Sequence, residues 1–278
     1  VVTVTTEILR SVLAVTGPVN LDNTIYTKEN VIDELEKKVE LDFYWTNTPW
    51  LQRKDVMGDL AEALQDRVYS LSMPQNLELA RGVAELAETR HAAFYFDNPK
   101  LQSLIAEAGW DAKMRDYERD TLMIVDANLA GYKTEPVITK SYDYSVKREN
   151  GKLVADLKIH YAHGGKLNPL ISNYRTYMRI YVPEGSQLIS AQGFGGATDV
   201  TAESKRTVFG GFLVVPINEE RHLTVRYVLP ERVAEDYSLL VQKQLGAYPA
   251  DLRIKLNFDS VKKDLTTKLE RDLNITAR

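Results

Sequence analysis

Residues 138–163 read ITKSYDYSVKRENGKLVADLKIHYAH. Ile138, Tyr142, Tyr144 and Val146 alternate with polar residues on one side of Glu149-Asn150-Gly151. Leu153, Ala155, Leu157, Ile159 and Tyr161 do so on the other. Side chains of a strand point to opposite faces in turn, so this period of two marks two half-buried strands. Asn-Gly accepts the positive φ angles of a tight two-residue hairpin turn, so the two runs are predicted to pair antiparallel.

Working outward from this hairpin, the same alternation continues downstream. It recurs in YRTYMRIYV, SQLISAQG, TVFGGFLVV, RHLTVRYVL, YSLLVQKQ and DLRIKLNF, with turn signals at Pro183-Glu184-Gly185 and Asn218-Glu219. About eight strands with no helix between them predict an antiparallel, immunoglobulin-like β-sandwich over residues 136–260. The chain has no cysteine, which excludes an antibody-type disulfide core, thiol chemistry and cysteine-bound zinc. Residues 261–278 are charged and read as a frayed helix or linker. Phe194-Gly195-Gly196 and Phe209-Gly210-Gly211-Phe212 place glycine pairs inside strand-like sequence, where they mark bulges or close backbone approach.

Upstream the period lengthens to nearly four. Val31, Leu35 and Val39 form one helical stripe; Val56, Leu60, Leu64, Val68 and Leu71 form another. Asn98-Pro99 opens a further helix and Gly109 closes it. AAFYF (92–96) and TLMIV (121–125) read as short apolar strands on either side of that helix, as in a parallel βαβ crossover. The aromatics of 41–50 (Phe43, Tyr44, Trp45, Trp50) read as packing residues. The expectation is an α+β protein: a helix-rich α/β domain over 1–135, the sandwich, then the tail. Expected core positions are Leu60, Leu64, Val68, Phe94, Phe96, Leu104, Ile105, Ile124, Ile180, Val182, Val214, Val225 and Tyr227.

Charge divides with the pattern. Residues 1–135 carry 14 basic against 23 acidic residues, and residues 136–278 carry 21 against 16. The basic residues are scattered and form no Arg/Lys run interleaved with aromatics, so no nucleic-acid surface is expected. No run of about 18 apolar residues is present to span a bilayer. The opening VVTVTTEILRSVL shows no basic region and no cleavage site, and reads as a piece of a longer chain with any targeting segment upstream.

Chemistry-bearing motifs are few. No nucleophile elbow, P-loop or dinucleotide fingerprint is present. His160 and His163 fall on one strand three residues apart, hence on opposite faces, so no metal site is expected from them. Asp116, Glu118 and Asp120 read as a solvated loop without the ligand spacing of a calcium site. No cofactor and no catalytic residue is assigned. The best small-site candidates are Asp126, Asn128 and Lys133, which follow an apolar strand where ligands of α/β units often sit. Their alternative reading is a turn held by Asx hydrogen bonds, with Gly131 at positive φ and Lys133 paired with Asp126.

Four stretches carry a resemblance to a family of exported bacterial cell-envelope proteins of unknown function. They are VLAVTGPVNLDN…YTKENVIDELEKKVELDF (12–43), FYFDNPKLQSLIAEAGW (94–110), LMIVDANLAGYKTEPVITKSYDYSV (122–146) and TVFGGFLVVPINEERHLTVRYVLP (207–230). Members typically start with a membrane anchor and a region similar to the LytR–CpsA–Psr cell-wall ligases. Residues 1–43 resemble the last part of that region, and the Arg and Asp set expected of it would lie upstream of Val1. The resemblance implies an extracytoplasmic, cell-envelope setting, with membrane attachment only through an upstream anchor. The implied function is a non-catalytic module for scaffolding, adhesion or contact with an anionic cell-wall glycopolymer or other envelope proteins. The alternative is an accessory part of a glycopolymer transferase.

Overall fold

The computed structural model describes residues 1–46 and 48–276. The chain forms two compact units, Val1–Ala112 and Lys113–Arg278. The change of unit therefore falls before the strand at 120–128, not at residue 136 as the change of period suggested. No helix among the described residues is long and apolar enough to cross a membrane.

In the first unit β1 (Val2–Val4) leads to α1 (Glu7–Thr16), the hairpin β2 (Val19–Leu21) and β3 (Thr24–Tyr26), and α2 (Val31–Glu40). Next come α3 (Asp55–Tyr69), α4 (Met73–Glu88), β4 (Ala92–Phe94) and α5 (Pro99–Ala108). The stripes read from the sequence account for its core: Val31, Leu35, Leu60 and Leu64 pack with Leu13, Val19 and Tyr26. Helix ends follow local chemistry. Asn98 accepts from the backbone N–H groups of Lys100 and Leu101 at 3.0 and 3.2 Å, and Gly109 closes α5 at φ 82°. Ser72 and Gln75 form a capping box at α4.

The βαβ crossover does not form. β4 pairs antiparallel with β1, and the strand at 121–125 belongs to the other unit. Helix α5 buries none of its residues, so Leu104 is exposed and Ile105 only half-buried. Phe96 is also exposed, and Val68 and Phe94 are half-buried. Of the four aromatics at 43–50, only Phe43 is buried.

The second unit holds β5 (Asp120–Asn128), β6 (Ile138–Glu149), β7 (Lys152–His163), β8 (Tyr174–Pro183), β9 (Gln187–Gln192) and β10 (Asp199–Glu203). It continues through β11 (Arg206–Val215), β12 (Glu220–Val228), β13 (Ser238–Gln242), β14 (Ala250–Phe258), β15 (Val261–Leu269) and β16 (Leu273–Thr276). They build two six-stranded sheets, ordered β10-β11-β8-β5-β13-β16 and β15-β14-β6-β7-β12-β9. One continuous core between them draws Ile124, Met178, Ile180 and Phe209 from the first sheet and Tyr144, Leu157, Val225 and Ile254 from the second.

The founding hairpin forms as read. Glu149 pairs with Lys152 across Asn150 and Gly151, whose φ angles are 48° and 80°. The architecture around it is not the antiparallel immunoglobulin-like sandwich expected. Both sheets are mixed, since β13 runs parallel to β5 and β14 runs parallel to β6. Alternation reports which face a residue occupies, not the direction of the neighbouring strand, so it carries no signal for these parallel pairs. Nor is 261–276 a frayed tail. Lys262, Asp264 and Lys268 alternate on the open face of β15, while Leu269 and Ile275 enter the core.

Candidate functional site

Asp126 lies near the end of β5 with its side chain turned into the space between the sheets. Tyr161 donates its hydroxyl to both carboxylate oxygens (3.0 and 2.8 Å), and Thr176 donates at 3.2 Å. The Lys140 ammonium sits 2.8 Å from Asp126 and 2.5 Å from Glu135. Burial opposes the Lys140 charge, but the Asp126 carboxylate and its neighbours outweigh it and hold the ammonium well above the usual lysine range. The backbone of Asp126 is clamped as well: Gln244 accepts from its N–H at 2.9 Å and donates to its carbonyl at 3.0 Å. The counter-ion of Asp126 is thus Lys140, on the facing sheet and 14 residues further on. A buried ion pair of this kind is strongly destabilising to break, because either partner alone is left as an unpaired charge.

Asn128 does not share this environment. Its side chain folds over the following loop, accepting from Gly131 N–H at 2.8 Å and donating to the Tyr132 carbonyl at 3.0 Å. The positive φ angles of this loop fall on Ala130 and Tyr132, not on Gly131. Gly131 is required for space instead, since a Cβ there would lie 2.7 Å from the Asn128 amide oxygen. The Lys133 backbone N–H donates to Leu170 at 2.9 Å. Asp126 and Asn128 thus have different surroundings. Asp126 joins the sheets, and Asn128 closes a loop.

Asp120, read as part of a solvated loop, is fully buried at the start of β5. Tyr144 and Tyr237 donate to its Oδ2 at 2.7 and 2.5 Å. Desolvation pushes its pKa up to about 6, although the two tyrosine hydrogen bonds pull the other way.

The outer face of the first sheet carries a row of aromatic and basic side chains. Arg175, Tyr177 and Arg179 alternate outward along β8, while Met178 and Ile180 fill the core behind them. Phe212 lies directly across from Tyr177 on β11, and Val214 across from Arg175. The Tyr177 and Phe212 rings meet edge to face with centroids 4.9 Å apart, and the Arg179 guanidinium lies 5.3 Å from the Tyr177 ring centroid. Tyr177 is fixed at its far end by a 2.6 Å hydrogen bond to Asp199. That hydrogen bond keeps the phenol proton in place and raises its pKa.

Both glycines of the Phe209–Phe212 run serve close approach. A Cβ on Gly210 would lie 2.5 Å from the Tyr177 hydroxyl, and one on Gly211 would lie 2.6 Å from the Phe194 ring. The sequence signal was the glycine pair itself. It could not identify the ring that crosses it, because Tyr177 comes from a strand more than thirty residues upstream. Val214 was expected in the core and instead faces outward. TVFGGFLVV is apolar at both phases, so alternation does not say which phase points inward.

No family model matches the chain, and no curated protein matches it. Neither result bears on the resemblance of residues 1–43 to the last part of a LytR–CpsA–Psr-like region. Among solved structures, an M1 zinc metallopeptidase from Deinococcus radiodurans aligns at 13% identity over 50% of this chain and 38% of its own, with a TM-score of 0.26. Leukotriene A4 hydrolase from Saccharomyces cerevisiae aligns at 6% identity over 52% of this chain and 29% of its own, with a TM-score of 0.28. A putative nutrient binding protein from Legionella pneumophila aligns at 9% identity over 56% of this chain and 70% of its own, with a TM-score of 0.30. The chain spans less than half the length of the M1 metallopeptidases it matches. At these TM-scores neither a shared fold nor an activity passes from them to this chain.

Proposed function

We propose that this chain is a non-catalytic, extracytoplasmic cell-envelope module that holds an anionic cell-wall glycopolymer on the outer face of its first sheet. One observation carries the reading: an ordered aromatic pair, Tyr177 and Phe212, flanked by Arg175 and Arg179 on a rigid strand. Aromatic faces offer sugar rings an apolar surface that costs little conformational entropy to order. Guanidinium groups add forked donors for phosphate or carboxylate. Asp199 holds the tyrosine and leaves its ring to face outward. The four stretches resembling envelope proteins support the setting. The saturated state of Asp126 supports binding over catalysis, because its carboxylate is already committed to Lys140, Tyr161 and Thr176.

Co-sedimentation and calorimetry with purified polyglycerol phosphate, and with a neutral glucan as comparison, test this. Wild-type protein should bind the anionic polymer more tightly, and binding should weaken with salt. Phe212→Ala and Arg179→Ala should each reduce affinity about tenfold, or about 1.4 kcal/mol, without changing the melting temperature. Equal binding by wild type and both variants, or no binding at all, would defeat the proposal.

A further inference from the structure

The second sheet carries a different constellation on its own outer face. His160 on β7 and His222 on β12 are direct cross-strand partners, and Glu220 lies two residues along from His222 on the same side. Their imidazoles stack with centroids 4.4 Å apart and planes within 15°. His160 Nε2 lies 3.0 Å and His222 Nε2 lies 3.9 Å from the same Glu220 oxygen, Oε2. All three donor atoms fall within 4.8 Å of one another. Among the described residues this is the one group of three or more histidine and carboxylate side chains so placed.

From these distances we propose that His160, Glu220 and His222 form a surface site for a divalent transition-metal ion. A tetrahedral ion bound at about 2.0–2.1 Å needs donors roughly 3.3–3.5 Å apart. The two separations from Glu220 straddle that figure. His222 and Glu220 are well exposed, so a modest turn of either side chain closes the set. The backbone needs no change, because β7 and β12 are interior strands joined over nine paired residues from Glu220 to Val228. Such a frame fixes the relation between the two histidines before any ion arrives. Two imidazoles and one carboxylate, with the remaining position open to water, suit zinc, copper(II) or nickel(II), and do not suit magnesium or calcium. Bound metal would cross-link β7 to β12.

His163 takes no part. It points to the inner side, where its ring contacts the Ser172 carbonyl at 2.8 Å and accepts from Gly165 N–H at 3.1 Å. Three residues along one strand separated His160 from His163, whereas 62 residues of chain separate it from the partner it meets.

The site is tested by calorimetric titration of the full chain with zinc chloride in a non-chelating buffer, together with the visible absorption of the cobalt(II) form. The expected result is saturable one-to-one binding with a dissociation constant on the order of micromolar, a higher melting temperature with zinc, and no heat with magnesium. His222→Ala, His160→Ala and Glu220→Gln should each weaken zinc binding about tenfold or more and lose the cobalt spectrum. His91→Ala, in the other unit, should bind as wild type. All three site positions face outward from the sheet, so the variants' circular dichroism should match wild type and confirm that they fold. Absence of saturable zinc binding by wild type, or wild-type affinity in the folded His222→Ala variant, would overturn the proposal. Neither outcome bears on the glycopolymer face, which lies on the other sheet.

Discussion

Asp120 shows how one buried carboxyl can write a pH dependence into the fold. Its pKa rises from an ordinary 3.8 to about 6 on folding because burial penalises the charge. Between those two values the folded state holds a proton that the unfolded state has released. Stability from this group is therefore greatest below pH 4 and declines as pH climbs to about 6. Two pKa units correspond to about 3 kcal/mol at most. Asp120→Asn keeps an oxygen for Tyr144 and Tyr237 and removes the charge. Urea melts at pH 4, 5, 6 and 7.5 should show the variant gaining on wild type as pH rises. Parallel curves would mean that Asp120 stays protonated throughout, or that its cavity admits water.

At the scale of the element, β16 decides whether the charged end of the chain belongs to the fold. It pairs antiparallel with β13 through Ser238 to Val241, and it forms the edge of the first sheet. Ile275 is its buried anchor, packed into the shared core. Ile275→Ala should cost about 2–4 kcal/mol by loss of apolar burial and the void left behind. Thr276 faces out on the same strand, and Thr276→Ala should fall within about 0.5 kcal/mol of wild type. Chemical denaturation of both variants checks this. A neutral Ile275→Ala would return the segment to the status of a loose tail. Strand β15 illustrates why such a segment misleads. Lys262, Asp264, Thr266 and Lys268 occupy its open face, and charge counted without regard to phase hides the alternation beneath.

The whole molecule divides after Ala112. The second unit contains both six-stranded sheets and their single core. Its 166 positions from Lys113 to Arg278 fall within the ordinary size of a self-sufficient domain. Expressed alone, this unit should give a strand-type circular dichroism spectrum and one cooperative thermal transition. A fragment beginning at residue 136 lacks β5, which sits between β8 and β13 in the first sheet. That fragment should be insoluble or molten, because removing an interior strand leaves β8 and β13 with open edges. Comparable behaviour of the two fragments would place the true boundary at the change of period instead.

The sequence alone determined whatever depends on neighbours along the chain. The amphipathic helices, the Asn98 and Gly109 ends of α5, the Asn150-Gly151 hairpin and the inward phase of β6, β7, β8 and β12 all follow from residues within a few positions of one another. Local dihedral preference and side-chain period act at that range. Only the tertiary structure decided the rest. It placed β13 and β14 parallel to strands more than a hundred residues upstream, joined Asp126 to Lys140 across the two sheets, and laid Tyr177 over Gly210. It also set His160 beside His222. These are pairings between distant segments, chosen by the packing of two faces over a common core, and no periodicity within one segment encodes which distant segment will meet it.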